Sequence, residues 1–225
     1  RQHRVTYDTS SISNSSEWTK GSYAPVLLGN VIGFKTIKTV LVVKGEDREE
    51  IIRNKSLIIS KCLKPIMLTL DGYQHKFWAI LKKSDTEETS MRRWHLLTLE
   101  WNCCECGDRI TQTYEGEKKI IINNPGNIMT PVIVKILPQI GTATLNITGL
   151  TRNELLNETY DIVVENTEIS KEIILNGETG LITEDGEIKA GEVEMWELPS
   201  LMPGENTITV DENVNLTISF LPRYL

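Results

Sequence analysis

The sequence offers few side chains able to make or break bonds. Its three histidines, His3, His75 and His95, form no metal-ligand pair and none accompanies a Gly-x-Ser-x-Gly elbow, so a hydrolase triad has nothing to be built from. Neither Gly-x-x-x-x-Gly-Lys nor Gly-x-Gly-x-x-Gly occurs, and chemistry that cradles phosphate in backbone amides is not expected. Glu194 and Glu197 flank Trp196 in the manner of a glycosidase acid and base beside a sugar-stacking ring. On a strand, however, residues 194 and 196 share one face and Glu197 takes the other. The expectation is therefore acids on a solvated sheet face, with Trp196 at the edge of a core. Cys103-Cys104-x-Cys106 has metal character, but tetrahedral zinc sites usually use two separated pairs, and the fourth ligand would have to be Cys62 or His95. These are expected to be turn thiols. The reading is no enzyme: no catalytic residue, no metal ligand and no cofactor, with ligand-binding residues unassigned.

The elements that would carry any such residues are set by a chain of 225 residues, enough for one large domain or two ordinary ones. At 40% hydrophobic, 24% charged and 6% aromatic it has a globular composition. Its longest apolar candidate, Tyr23 to Phe34, is broken by Pro25, Gly29 and Gly33 and falls short of the roughly 20 residues that span a bilayer. The opening Arg1-Gln2-His3-Arg4 lacks a signal-peptide pattern, and a trimmed start is expected. Four clustered cysteines suit free thiols in a reducing cytoplasm better than a disulfide framework. Without a secretory signal, the Asn-x-Ser/Thr matches at Asn14, Asn54, Asn146, Asn157 and Asn215 carry little weight.

Charge divides the chain. Residues 1–122 hold 19 Lys and Arg against 15 Asp and Glu, whereas residues 123–225 hold 5 against 16. Two domains, 1–122 and 123–225, are expected, with the seam at Asn123-Asn124-Pro125-Gly126-Asn127. Strands are expected at Thr36 to Lys44, Ile66 to Leu70, Lys76 to Lys83 and Trp94 to Trp101. Asn176-Gly177 and Asp185-Gly186 predict hairpins through positive φ angles, and Pro203-Gly204 predicts a type II turn. Beyond it, Ile208 and Val210, then Val214, Leu216, Ile218 and Phe220, alternate with polar residues and predict two half-buried strands. One helix is expected over Asp47 to Leu63, where Asp47 and Glu50 form a capping-box pair and Ile51, Ile52, Ile58, Ile59, Cys62 and Leu63 recur at helical spacing. The fold class is mainly β: an α+β first domain with one helix, then an antiparallel β-sandwich. Lys82-Lys83 and Arg92-Arg93 flank the acidic stretch Asp85 to Glu88, which suits a solvated hairpin better than a surface facing nucleic acid.

In this order the features resemble the phage distal tail protein family. The helix, Lys64-Pro65-Ile66-Met67-Leu68-Thr69-Leu70-Asp71 and Phe77-Trp78-Ala79-Ile80-Leu81 resemble its belt domain. The linker to Pro131-Val132-Ile133, and Leu198 to Ile208 through Pro222-Arg223-Tyr224, are similar to its galectin-like C-terminal domain. The resemblance implies a structural protein whose belt domains close into a hexameric ring at the distal end of a virion tail, synthesised in the host cytoplasm. The implied partners are its own copies, the tail tube protein, the tail hub or tail-associated lysin, and receptor-binding or baseplate proteins. DNA would pass through the lumen without its sequence being read. The His and paired Arg of sugar-binding galectins are not found in residues 123–225, so glycan binding does not follow from that fold. A carbohydrate-binding adhesin stacking sugars on Trp196 is the alternative.

Overall fold

The computed structural model describes residues 2–17, 20, 26–90, 93–153 and 158–225; Trp18, Arg92 and Asn157 lie outside them. The chain divides into two compact units, Arg1–Glu105 (with Leu225) and Cys106–Tyr224.

The first unit contains β1 (Gln2–Tyr7), β2 (Ile12–Glu17), β3 (Val26–Ile32), β4 (Lys35–Lys44), α1 (Arg48–Lys61), β5 (Ile66–Thr69), β6 (Lys76–Glu88) and β7 (Trp94–Cys106). Its main sheet has the order β1-β4-β7-β6-β5, while β2 and β3 form a separate ladder. Alternation decides the faces. Ile37 and Val43 of β4, Phe77 and Ala79 of β6, and Leu97, Leu99 and Trp101 of β7 are buried together with Ile51 of α1. The helix begins as the capping pair requires, since Asp47 Oδ1 accepts the Glu50 N–H at 2.7 Å. Glu50 reciprocates one residue early, accepting the Glu46 N–H at 2.7 Å. It ends before Leu63: the Cys62 N–H donates to the Ile59 carbonyl at 2.9 Å. Ile52 and Leu63 are exposed, so the apolar stripe buries less than its spacing suggests.

The second unit contains β8 (Ile110–Glu115), β9 (Lys119–Asn124), β10 (Thr130–Pro138), β11 (Thr142–Asn153), β12 (Glu158–Thr167), β13 (Ile173–Asn176), β14 (Ile182–Glu184), β15 (Glu187–Ile188), β16 (Val193–Glu194), β17 (Ser200–Leu201), β18 (Gly204–Val210), β19 (Val214–Phe220) and β20 (Arg223–Tyr224). One sheet runs β15-β14-β13-β10-β19-β8, with β17 also on β10, and the other runs β16-β12-β11-β18-β9. Their inward residues merge into one core, with Val134 opposite Ile218 and Ile136 opposite Leu216 in the first sheet, and Leu145, Ile147, Ile162, Val164 and Ile208 from the second. This is the antiparallel sandwich that the alternation predicts.

The expected boundary at 122/123 falls inside this unit. Residues 110–115 pair with β19 and residues 119–124 with β18, so both segments are edge strands of the sandwich. The Asn-Asn-Pro-Gly-Asn cluster is where the chain crosses from one sheet to the other. Asn124 is buried there, accepting the Gly126 N–H at 3.0 Å and donating to the Leu201 carbonyl at 3.3 Å. The charge division survives the shift: the first unit's residues 1–105 hold 16 Lys and Arg against 12 Asp and Glu, and the second unit holds 8 against 19. Asp185 and Gly186, at φ 47° and 88°, close the β14–β15 hairpin as expected. In the β13–β14 connection the left-handed residue is Gly180, at φ 74°, rather than Gly177, because Asn176 Oδ1 accepts the N–H groups of Glu178 and Thr179 and folds the chain into a longer turn.

Candidate assembly surfaces

Among the described residues, no bond-making constellation comes together from those singled out in the sequence. Cys103 and Cys104 lie within β7, not in a turn, and the pleat sends them to opposite faces: Cys103 buried, Cys104 half-exposed. Burial, only partly offset by a backbone hydrogen bond at Ile37, pushes the Cys103 thiol up to about 12. Among the described residues, no three His, Cys, Asp or Glu side chains gather as metal ligands would. The expected basic hairpin is largely self-neutralised, since Lys82 pairs with Glu100 at 2.8 Å and Lys83 with Asp85 at 2.7 Å. Trp196 is 79% exposed, not at the edge of the core. It lies just beyond β16, in a stretch where Val193 and Met195 pack against the core, and its ring centroid lies 6.0 Å from that of Tyr160.

The pattern reading missed a charged cluster in the first unit. Glu105 near the end of β7 accepts from Lys35 at the start of β4, and its Oε1 lies 2.6 Å from His75 Nδ1. Lys35 is buried in the process. Burial acts to raise the Glu105 carboxyl pKa, but the hydrogen bonds and charges of Lys35 and His75 outweigh it and hold the group below the usual carboxylate range. A depressed pKa contributes stability that is present above the unfolded value of about 4.3 and is lost as pH falls through the folded one. Glu105→Gln should therefore cost about 1–3 kcal/mol at neutral pH. It should also flatten the acid limb of a stability curve measured by urea titration from neutral pH to pH 3. A variant with an acid limb as steep as that of the parent would show that another carboxylate governs it.

The outer face of the first unit's sheet is the second feature. Met67 on β5 lies opposite Trp78 on β6, and Ile80 follows two residues on along the same face. The three are 37%, 38% and 48% exposed, an apolar group opposite the helix-packed side. Singly exposed apolar residues are ordinary, but adjoining ones mark contact surfaces. The alternation in Phe77-Trp78-Ala79-Ile80 already carried this signal, because both sides of the strand are apolar.

With one α-helix among the described residues of the first unit and an antiparallel sandwich in the second, the chain has a mainly β, two-unit architecture. No family model matches the sequence, and no curated protein does so. Solved structures do. The SPP1 Dit (gp 19.1) protein, described as a paradigm of the hub adsorption apparatus in phages infecting Gram-positive bacteria, is 12% identical with a TM-score of 0.69, covering 100% of this chain and 93% of that one. A chain of the phage P2 baseplate in its activated conformation with Ca is 11% identical with a TM-score of 0.52, covering 98% of this chain and 91% of its own length. The same baseplate with Sr gives 11% and 0.52, covering 97% and 89%. The fold is shared across the whole chain, in agreement with the resemblance to distal tail proteins.

Proposed function

We propose that this chain is a non-enzymatic distal tail protein of a phage or prophage, a ring-forming hub that joins the tail tube to the baseplate or tail tip. The observation that carries this reading is the likeness of fold to SPP1 Dit over both units. In this reading the first unit is the belt and the second is a galectin-like lobe. The partners are its own copies, the tail tube protein, the hub or tail-associated lysin, and receptor-binding or baseplate proteins. The place of action is the distal end of the virion tail.

A closed ring needs two unlike patches on each copy meeting head to tail. The Met67, Trp78 and Ile80 face is one of them, since apolar, aromatic-rich surface is what permanent subunit contacts bury. Light scattering on the full chain should give six times the monomer mass, and negative-stain images should show rings. Trp78→Asp with Ile80→Asp should reduce the mass to that of a monomer while leaving the β-sheet circular dichroism unchanged. A parent chain that stays monomeric at every concentration would overturn the reading.

A further inference from the structure

We infer that residues 187–198 of the second unit form a strap that lifts from the sandwich as one piece while both sheets stay folded, with Lys189 as its latch. The strap carries the chain from β15, at the edge of one sheet, to β16, at the edge of the other. Its ends are well defined. Asp185 and Gly186 turn with positive φ before it, and behind it the Pro199 carbonyl accepts the Val132 N–H at 3.0 Å while Leu201 is fully buried.

Little of the strap enters the core. Val193 and Met195 are half-buried, Ile188 and Trp196 are each 79% exposed, and the only buried residue between Gly186 and Pro199 is Lys189. Its ladders are short: Glu187 and Ile188 pair with Glu184 and Thr183 of β14, and Val193 and Glu194 with Val164 and Val163 of β12. Strap residues also line an open cavity of about 500 Å³ together with Lys171 and Glu184, so close packing is not what holds them down. Segments with few buried apolar contacts are the ones that open before the rest of a domain unfolds.

Lys189 supplies the hold. Its Nζ donates to the Asn166 carbonyl of β12 at 3.1 Å, to Glu184 Oε2 of β14 at 3.1 Å, and to Glu192 Oε2 within the strap at 2.8 Å. One ammonium thus ties the strap to a strand of each sheet. Among the described residues, the ion pairs of Glu184 and Glu192 are both with Lys189, and Glu184 Oε1 is buried without a hydrogen-bond partner. Removing the cation leaves that carboxylate with no counter-charge in contact, which is strongly unfavourable for a buried pair. Burial acts to lower the Lys189 pKa, but the hydrogen bonds and charges of Glu192 and Glu184 outweigh it and raise the value, so the latch stays charged at neutral pH. With the strap lifted, β12 loses its partner on the outer side, and an unpaired strand edge is where a strand of another chain adds. None of this requires that copies of the chain form a ring, so its failure and that of the ring assay are separate results.

Native-state hydrogen exchange on the full chain at neutral pH, read at single residues from zero to sub-denaturing urea, tests this. The Lys189 and Glu192 N–H groups, bonded to the Ile182 and Lys189 carbonyls at 3.1 and 3.0 Å, report on the closed strap. They should exchange about a hundredfold or more faster than the ladder N–H groups of β10 and β19. Their rates should be nearly flat in urea while the ladder rates climb steeply, because lifting the strap exposes little surface and global unfolding exposes much. Lys189→Met should quicken exchange at residues 189 and 192 about tenfold or more and leave a folded sandwich. Strap rates that climb with urea as steeply as those of β10 and β19 would overturn the inference. So would strap rates unmoved by Lys189→Met, or a Lys189→Met chain that fails to fold, since the latch of a separable strap is dispensable to the rest.

Discussion

A fragment beginning at residue 123 should fail to give a soluble folded monomer, whereas residues 106–224 should unfold cooperatively in urea. The difference is β8 and β9. They add one strand to each sheet, against β19 and β18 respectively. Removing them withdraws Ile120 and Ile122, 1% and 0% exposed, from the core. Each buried isoleucine is worth about 1.5–3 kcal/mol. A whole domain holds only about 5–15 kcal/mol. The cut also lays bare the edges of β18 and β19, long ladders with no blunting device of their own, which invites strand-to-strand association. Gel filtration and urea titration of the two fragments would check this, and a shorter fragment with the same midpoint as the longer would refute it.

That boundary shows what the sequence could and could not reveal. Local signals were sound where one residue type has one use: the Asp47 cap, the Asp185-Gly186 hairpin and the alternation from Val214 to Phe220 all appear as read. The seam was misplaced because a turn between two sheets of one sandwich uses the same Asn, Pro and Gly as a linker between domains. Only the long-range pairing of β9 with β18 separates the two cases, and pairing is not written in local composition. The extent of β6 and β7 was underestimated for a similar reason. Ser84 to Glu88 is too polar to read as strand, and the cysteines of Asn102 to Cys106 read as turn thiols, yet both stretches lie within β6 and β7. The Lys35, His75 and Glu105 cluster joins residues far apart in sequence and left no local trace.

Alanine at position 177 should destabilise the second unit by about 3 kcal/mol or more, at the upper end of what overpacking costs. A Cβ there would stand 2.2 Å from the Pro199 carbonyl oxygen and 2.8 Å from that of Val132. Both are backbone atoms held in place, because the Gly177 N–H donates to the Val132 oxygen at 2.8 Å and the Val132 N–H donates to the Pro199 oxygen at 3.0 Å. No side chain can swing aside. Gly186→Ala is the informative comparison, since its Cβ meets nothing within 4 Å and the penalty is only that of a φ of 88°. That conformational cost is about 1–2 kcal/mol. Equal shifts in the urea midpoints of the two variants would mean that the strands part easily at Gly177, contrary to the crowding seen there.

The opposite signs of the two units also govern how the molecule behaves at its isoelectric point. Near pH 5.2 the chain as a whole carries no net charge, yet neither lobe is neutral. Precipitation under those conditions would come from the positive lobe of one molecule meeting the negative lobe of the next. Modest salt would then redissolve the material rather than drive it out, the reverse of what apolar clumping does.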